Sequence, residues 1–127
     1  MKNVDSLIHL IDELIRAENE EDNSIAEPIL SQNFIAIIRA SGEEQNREDL
    51  LKRIDDPPNK NIIRHFKGGH DMIASSKNFA VIESIVITTD KVNPTVMPKL
   101  FRNMHIFVKE DVWRCISWEV TEIKDES

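Results

Sequence analysis

Among the groups with which this chain could do chemistry, His105 has the most suggestive neighbours. It stands in the run LFRNMHIFVK, residues 100–109, where strand alternation sets it on one face with Phe101, Asn103 and Phe107. If that run forms a hairpin with residues 112–123, Trp118 joins the same face. A few polar groups in an apolar wall are what a small-molecule pocket requires. There the imidazole could act as general acid or base near neutral pH; it could also contact a ligand, or be a core histidine satisfied by a carbonyl or by Asn103.

Glu83 interrupts the apolar face Phe79, Val81, Ile85, Ile87. Turned inward, its carboxyl would be raised by desolvation and could serve as a base; turned outward, it would pair with an arginine such as Arg64. His70 is a further candidate ligand contact. With Asp71 it resembles a dyad, but strand neighbours point to opposite faces, so the two could meet only if Gly68-Gly69 distorts the strand. His65, His70 and His105 show no metal-ligand spacing, and neither metal nor cofactor is expected. The single Cys115 reads as a packed mid-strand thiol with no activating base beside it.

These residues depend on the hairpin of residues 100–123 for their placement. With Glu110-Asp111 as a two-residue turn, Phe107 faces Arg114, His105 faces Ile116, Asn103 faces Trp118 and Phe101 faces Val120. The other face then pairs Val108 with Trp113, Ile106 with Cys115, Met104 with Ser117, and Arg102 with Glu119, the last a favourable cross-strand charge pair. A three-residue turn would shift every partner.

Upstream, Val4, Leu7, Ile8, Ile11, Leu14 and Ile15 form the stripe of an amphipathic helix, which ends in a solvated acidic run, Glu18 to Asp22. Ser24 to Glu27 has the form of a capping box for a short helix through Leu30. Residues 33–40 read as a strand, and Asn46 caps a helix that buries Leu50, Leu51 and Ile54. Long strands are predicted over 62–75, with a bulge at the paired glycines, and over 79–89. A loop over 90–98 leads into the hairpin. Helices first and antiparallel strands after argue for an α+β fold, helices packed on one face of a bent sheet.

At 127 residues the chain is read as one domain, 1–127, large enough for a core and an internal cavity. Its 23 acidic and 16 basic residues give a net charge of −7, which disfavours nucleic acid as a partner. No apolar run reaches membrane-span length and no signal-peptide core follows the first residues, so a cytoplasmic location is expected and no membrane partner. Both hairpin faces are apolar. The outer one, with Met104, Ile106, Val108, Trp113 and Cys115, is expected to be covered by a second copy in a homodimer.

The order of the pieces, with NFIAIIRASG, NREDLLKRI, KNFAVIES and above all RNMHIFVKEDVWRCISWEVTEI, resembles the NTF2-like superfamily, and within it SnoaL-like and DUF4440-like small proteins, over nearly the whole chain. The resemblance implies a cystatin-like cone: helices closing over a strongly curved, mostly antiparallel sheet that encloses a pocket, with frequent homodimerisation through the sheet. It implies no single activity. The chain has no tyrosine, so the tyrosine oxyanion donor of ketosteroid isomerases has no counterpart, and Asn33 stands where many relatives have an acidic residue. Two functions follow as expectations: a pocket for a small, largely apolar molecule, with or without proton transfer by His105 or Glu83, or a non-catalytic homodimeric association domain.

Overall fold

The computed structural model describes residues 2–38 and 41–124. Helix α1, Lys2–Glu20, buries Leu7, Ile11, Leu14 and Ile15, as its three- and four-residue spacing requires. The short α2, Asn23–Ala26, is capped by Asp22 and not by Ser24, because Asp22 Oδ1 accepts from both the Ser24 backbone N–H and its hydroxyl. It also ends earlier than expected, before Pro28, and Leu30 already belongs to strand β1, Leu30–Ile38. The last two residues expected in that strand, Arg39 and Ala40, lie outside the described residues.

The four-residue strand β2, Glu43–Asn46, is absent from the sequence reading. Its Glu-Glu-Gln-Asn composition carries little β preference; it pairs with β1 because Gly42, at φ +71°, turns the chain back and donates to the Ile38 carbonyl. Asn46 then opens α3, Arg47–Asp55, in a reciprocal capping box with Asp49. Leu50, Leu51 and Ile54 are buried as expected.

Strands β3 (Ile62–Ser75), β4 (Phe79–Asp90), β5 (Lys99–Lys109) and β6 (Trp113–Ile123) complete a six-stranded sheet of order β2-β1-β6-β5-β4-β3. All pairs are antiparallel except β1 with β6. Between Phe66↔Val86 and His70↔Ser84 the β3 strand gains two residues on its partner, at Gly68-Gly69. Gly68 sits at φ +78°, a conformation that side chains with a Cβ rarely adopt, and the bulge bends β3 while keeping Phe66 and His70 on the same face. The core lies between that concave face and the helices, joining Leu7, Ile11 and Leu14 of α1 to Ile82, Phe107 and Trp118 of the sheet. This is an α+β architecture with a curved, mostly antiparallel sheet.

The hairpin register differs from expectation. Lys109 pairs with Trp113 across a three-residue turn, and His105 pairs with Trp118. Long-range contacts hold this turn: Glu110 accepts from the Ser31 hydroxyl at 2.8 Å and meets Arg114 Nε at 3.1 Å, while Arg114 Nη1 donates to the Pro28 carbonyl at 2.8 Å. A bulge at Ile116 follows, since Phe107 pairs with Cys115 but Ile106 with Ser117. Side-chain parity therefore reverses along β6. Trp118 stays inward, as read from sequence; Trp113 and Cys115, assigned to the outer face, also turn inward, with Cys115 fully buried. Arg102 faces Thr121, not Glu119.

Candidate functional site

The concave face brings Asn103, His105 and Trp118 together. Asn103 and Trp118 come from adjacent strands, and Trp118 Nε1 donates to Asn103 Oδ1 at 2.7 Å. The Asn103 amide donates in turn to the Phe101 carbonyl. This hydrogen-bonded pair is almost fully enclosed, which fixes the indole ring in the wall of the cavity.

That cavity has a volume of about 410 Å³ and lies at the end of the sheet where α1 and α3 cross it. Its apolar surface comes from Ile15, Leu50, Val86, Phe101, Trp118 and Val120. Near the β4–β5 loop it takes in Val96 and Met97. Charged side chains also reach it, among them Glu18 from α1, Arg53 from α3 and Arg64 from β3. A second depression, lined by Asn23, Glu43, Lys52 and Asp55, is wider but open and polar, and an open polar surface gains little from excluding water.

Glu18 is a charged cavity-lining residue that the sequence reading missed. The acidic run that ends α1 was expected to be solvated, but the last turn of the helix, through Glu20, carries Glu18 against β3. Its carboxylate lies 3.4 Å from Arg64 Nε. Burial pushes the Glu18 carboxyl above the ordinary range, against the opposing pull of Arg64 and Arg53. The neighbouring Asn19 holds β3 in place, donating to the Arg64 carbonyl at 2.9 Å and accepting from its N–H at 2.8 Å. The usable signal was helical phase: Glu18 lies three and four residues after Ile15 and Leu14, on the buried stripe.

His105 is inward but sits behind the cavity wall and does not line it. It is wholly buried, with its ring 4.6 Å from that of Trp118 and 6.3 Å from that of Phe107. Neither ring nitrogen has a hydrogen-bond partner among the described residues. Desolvation, and secondarily the nearness of His70, pushes its pKa down to about 3. The ring is thus neutral at neutral pH.

His70 is also inward and also outside the cavity lining. Its Nδ1 lies 2.5 Å from the buried Ser84 hydroxyl and its Nε2 3.8 Å from Asp12 of α1. The row Asp12–His70–Ser84 looks like a nucleophile triad, but Ser84 is only 2% exposed; the row joins α1 to the sheet. Asp71 points to the other face, opposite Glu83.

Glu83 lies on the outer face, 3.4 Å from Arg102 Nε, so the inward-base reading is corrected in favour of an ion pair, with Arg102 in place of Arg64. His65 shares that outer face, apart from His70 and His105. Among the described residues no group of three or more potential ligands converges on a metal position. The Cys115 thiol donates to the Ser117 carbonyl and burial raises its pKa to about 12, which suits packing and not nucleophilic chemistry.

No family model matches this chain, and no curated protein matches it in sequence. Solved structures do match in shape. An uncharacterized protein with a cystatin-like fold from Caulobacter vibrioides superposes with a TM-score of 0.82 at 13% identity, over 99% of this chain and 93% of that one. An NTF2-like protein from Cytophaga hutchinsonii gives 0.78 at 17% identity, over 97% and 100%. A CaMKII hub from S. rosetta gives 0.78 at 11% identity, over 94% and 95%. Among the described residues no helix is long and apolar enough to cross a membrane.

Proposed function

We propose that this chain, which has the NTF2-like fold, is a non-covalent binder of a small, largely apolar molecule. The observation that carries this reading is the 410 Å³ cavity walled by Phe101, Val86 and Trp118, a volume within the usual range for ligand sites. The wall hydrogen bond from Trp118 to Asn103 is already satisfied within the protein. A ligand would therefore lose water against apolar surface without stripping those groups of a partner. Phe101, Asn103 and Trp118 are the proposed wall. His105 and His70 would support it from behind.

The proposal predicts saturable uptake of the neutral apolar dye N-phenyl-1-naphthylamine. Ala36 lines the cavity and is nearly buried, so Ala36→Phe should fill it and weaken dye binding by about tenfold or more. Fluorescence titration measures this. Equal affinity in both proteins, or no uptake by the wild type, would count against a ligand pocket.

The association reading has support of its own. The sheet's outer face carries Val81, Ile85, Met104, Ile106 and Val108, half-buried and uncovered by any described helix. A soluble chain rarely leaves such a patch open, and one structural neighbour is a CaMKII hub. A homodimer through this face is compatible with a ligand in the concave one. In sedimentation experiments at micromolar concentration, Ile106→Glu should convert a dimer to a monomer, since it places a charge against an apolar partner surface. A monomeric wild type would end this reading.

A further inference from the structure

The cavity is apolar on its walls and charged at one side. Arg53 and Arg64 arrive from α3 and β3, and both act on Glu18 from α1. The protein as a whole carries −7, yet these three groups sum to +1 at their ordinary charges. Two further charged residues line the cavity, Asp90 and Lys99. Asp90 Oδ1 is engaged by the backbone N–H groups of Val92 and Asn93 at 2.9 and 2.8 Å, so it holds the turn that begins the β4–β5 loop. Lys99 is exposed.

Guanidinium groups suit carboxylates because their planar N–H fork matches the two oxygens. Arg64 contacts Glu18 through Nε, and a guanidinium carries four further N–H donors on its two terminal nitrogens. Glu18, beside both arginines, opposes any second negative charge.

We infer that the pocket selects a monoanionic amphiphile, with its apolar body against Trp118, Phe101 and Val86 and a single carboxylate held by Arg53 and Arg64. This rests on the ligand-pocket reading above and adds the chemistry of the ligand's head group. Glu18 sets the charge limit: it leaves room for one anionic charge and disfavours a dianion such as a phosphate monoester.

The experiment displaces N-phenyl-1-naphthylamine with octanoate, 1-octanol and octyl phosphate, which share one tail and differ in head group. Octanoate should compete about tenfold or more better than octanol, the scale of one charge-assisted hydrogen bond. In the double variant Arg53→Gln, Arg64→Gln that ratio should fall to near one, and because both competitors are read against the same dye, any change in dye affinity cancels from it. Glu18→Gln should improve octyl phosphate selectively. If octanoate and octanol compete equally in the wild type, the head-group inference is overturned while the pocket reading stands. A preference for octanoate that survives the double variant overturns the assignment to these arginines. Absence of dye binding in the wild type overturns both.

Discussion

Trp118→Ala is expected to destabilise the fold by about 3–5 kcal/mol, the range for truncating a buried aromatic. Trp118 is only 4% exposed and its ring packs against His105. Its loss also leaves Asn103 Oδ1 without the indole N–H that it accepts at 2.7 Å, and an unmet buried acceptor costs about 1–3 kcal/mol. The expected loss is large against the ~5–15 kcal/mol that holds a typical domain together. On the solvent side of α1, Glu13→Ala removes an exposed pair with Arg16 and should change stability by less than about 1 kcal/mol. Urea unfolding of both variants measures the contrast, and equal effects would mean that the indole is not part of the core.

The second large effect is a pH dependence due to His105. Its folded pKa of about 3 lies far below the ordinary 6.5 because the buried ring resists charging. The unfolded chain thus binds a proton below about pH 6.5 that the native state refuses. The stability this ring allows is complete above the unfolded pKa and is lost as pH falls towards the folded one. Between about pH 8 and about pH 5 the loss should reach roughly 2 kcal/mol, at about 1.4 kcal/mol per pH unit below the midpoint. His105→Gln is uncharged throughout, so its unfolding free energy should lack this slope, whatever its absolute stability. Parallel pH profiles for the two proteins, measured by urea unfolding, would show that the native ring takes up the proton. The same experiment tests whether His105 could serve in proton transfer near neutrality.

Much of the architecture is legible from local sequence, because the physics that sets it is local. The apolar spacing of Leu7, Ile11 and Leu14, the Asn46 cap and the Gly68-Gly69 bulge each depend on residues within a turn or two of one another. So does the alternation that puts Asn103, His105 and Phe107 on one face. These were sufficient for the α+β class and for the helices on one side of a bent sheet, whereas Trp118 is inward because the longer turn and the Ile116 bulge offset one another in parity.

What the chain could not disclose locally was decided by contacts between distant segments. The length of the hairpin turn depends on Ser31 and Pro28, which lie 79 and 86 positions from their partners Glu110 and Arg114. The Ile116 bulge reverses parity along β6 and draws Cys115 and Trp113 inward. Glu83 finds Arg102 on the neighbouring strand, and Glu18 finds Arg64 across the core. Sequence could name candidate groups, but the environment of each is a tertiary property. Burial with no hydrogen-bond partner among the described residues keeps His105 neutral, whereas the packing of α1 against β3 and α3 gathers Glu18, Arg64 and Arg53 around one cavity. A pKa or a pocket charge depends on the groups within a few ångströms in space, and strand alternation carries no information about which groups those are.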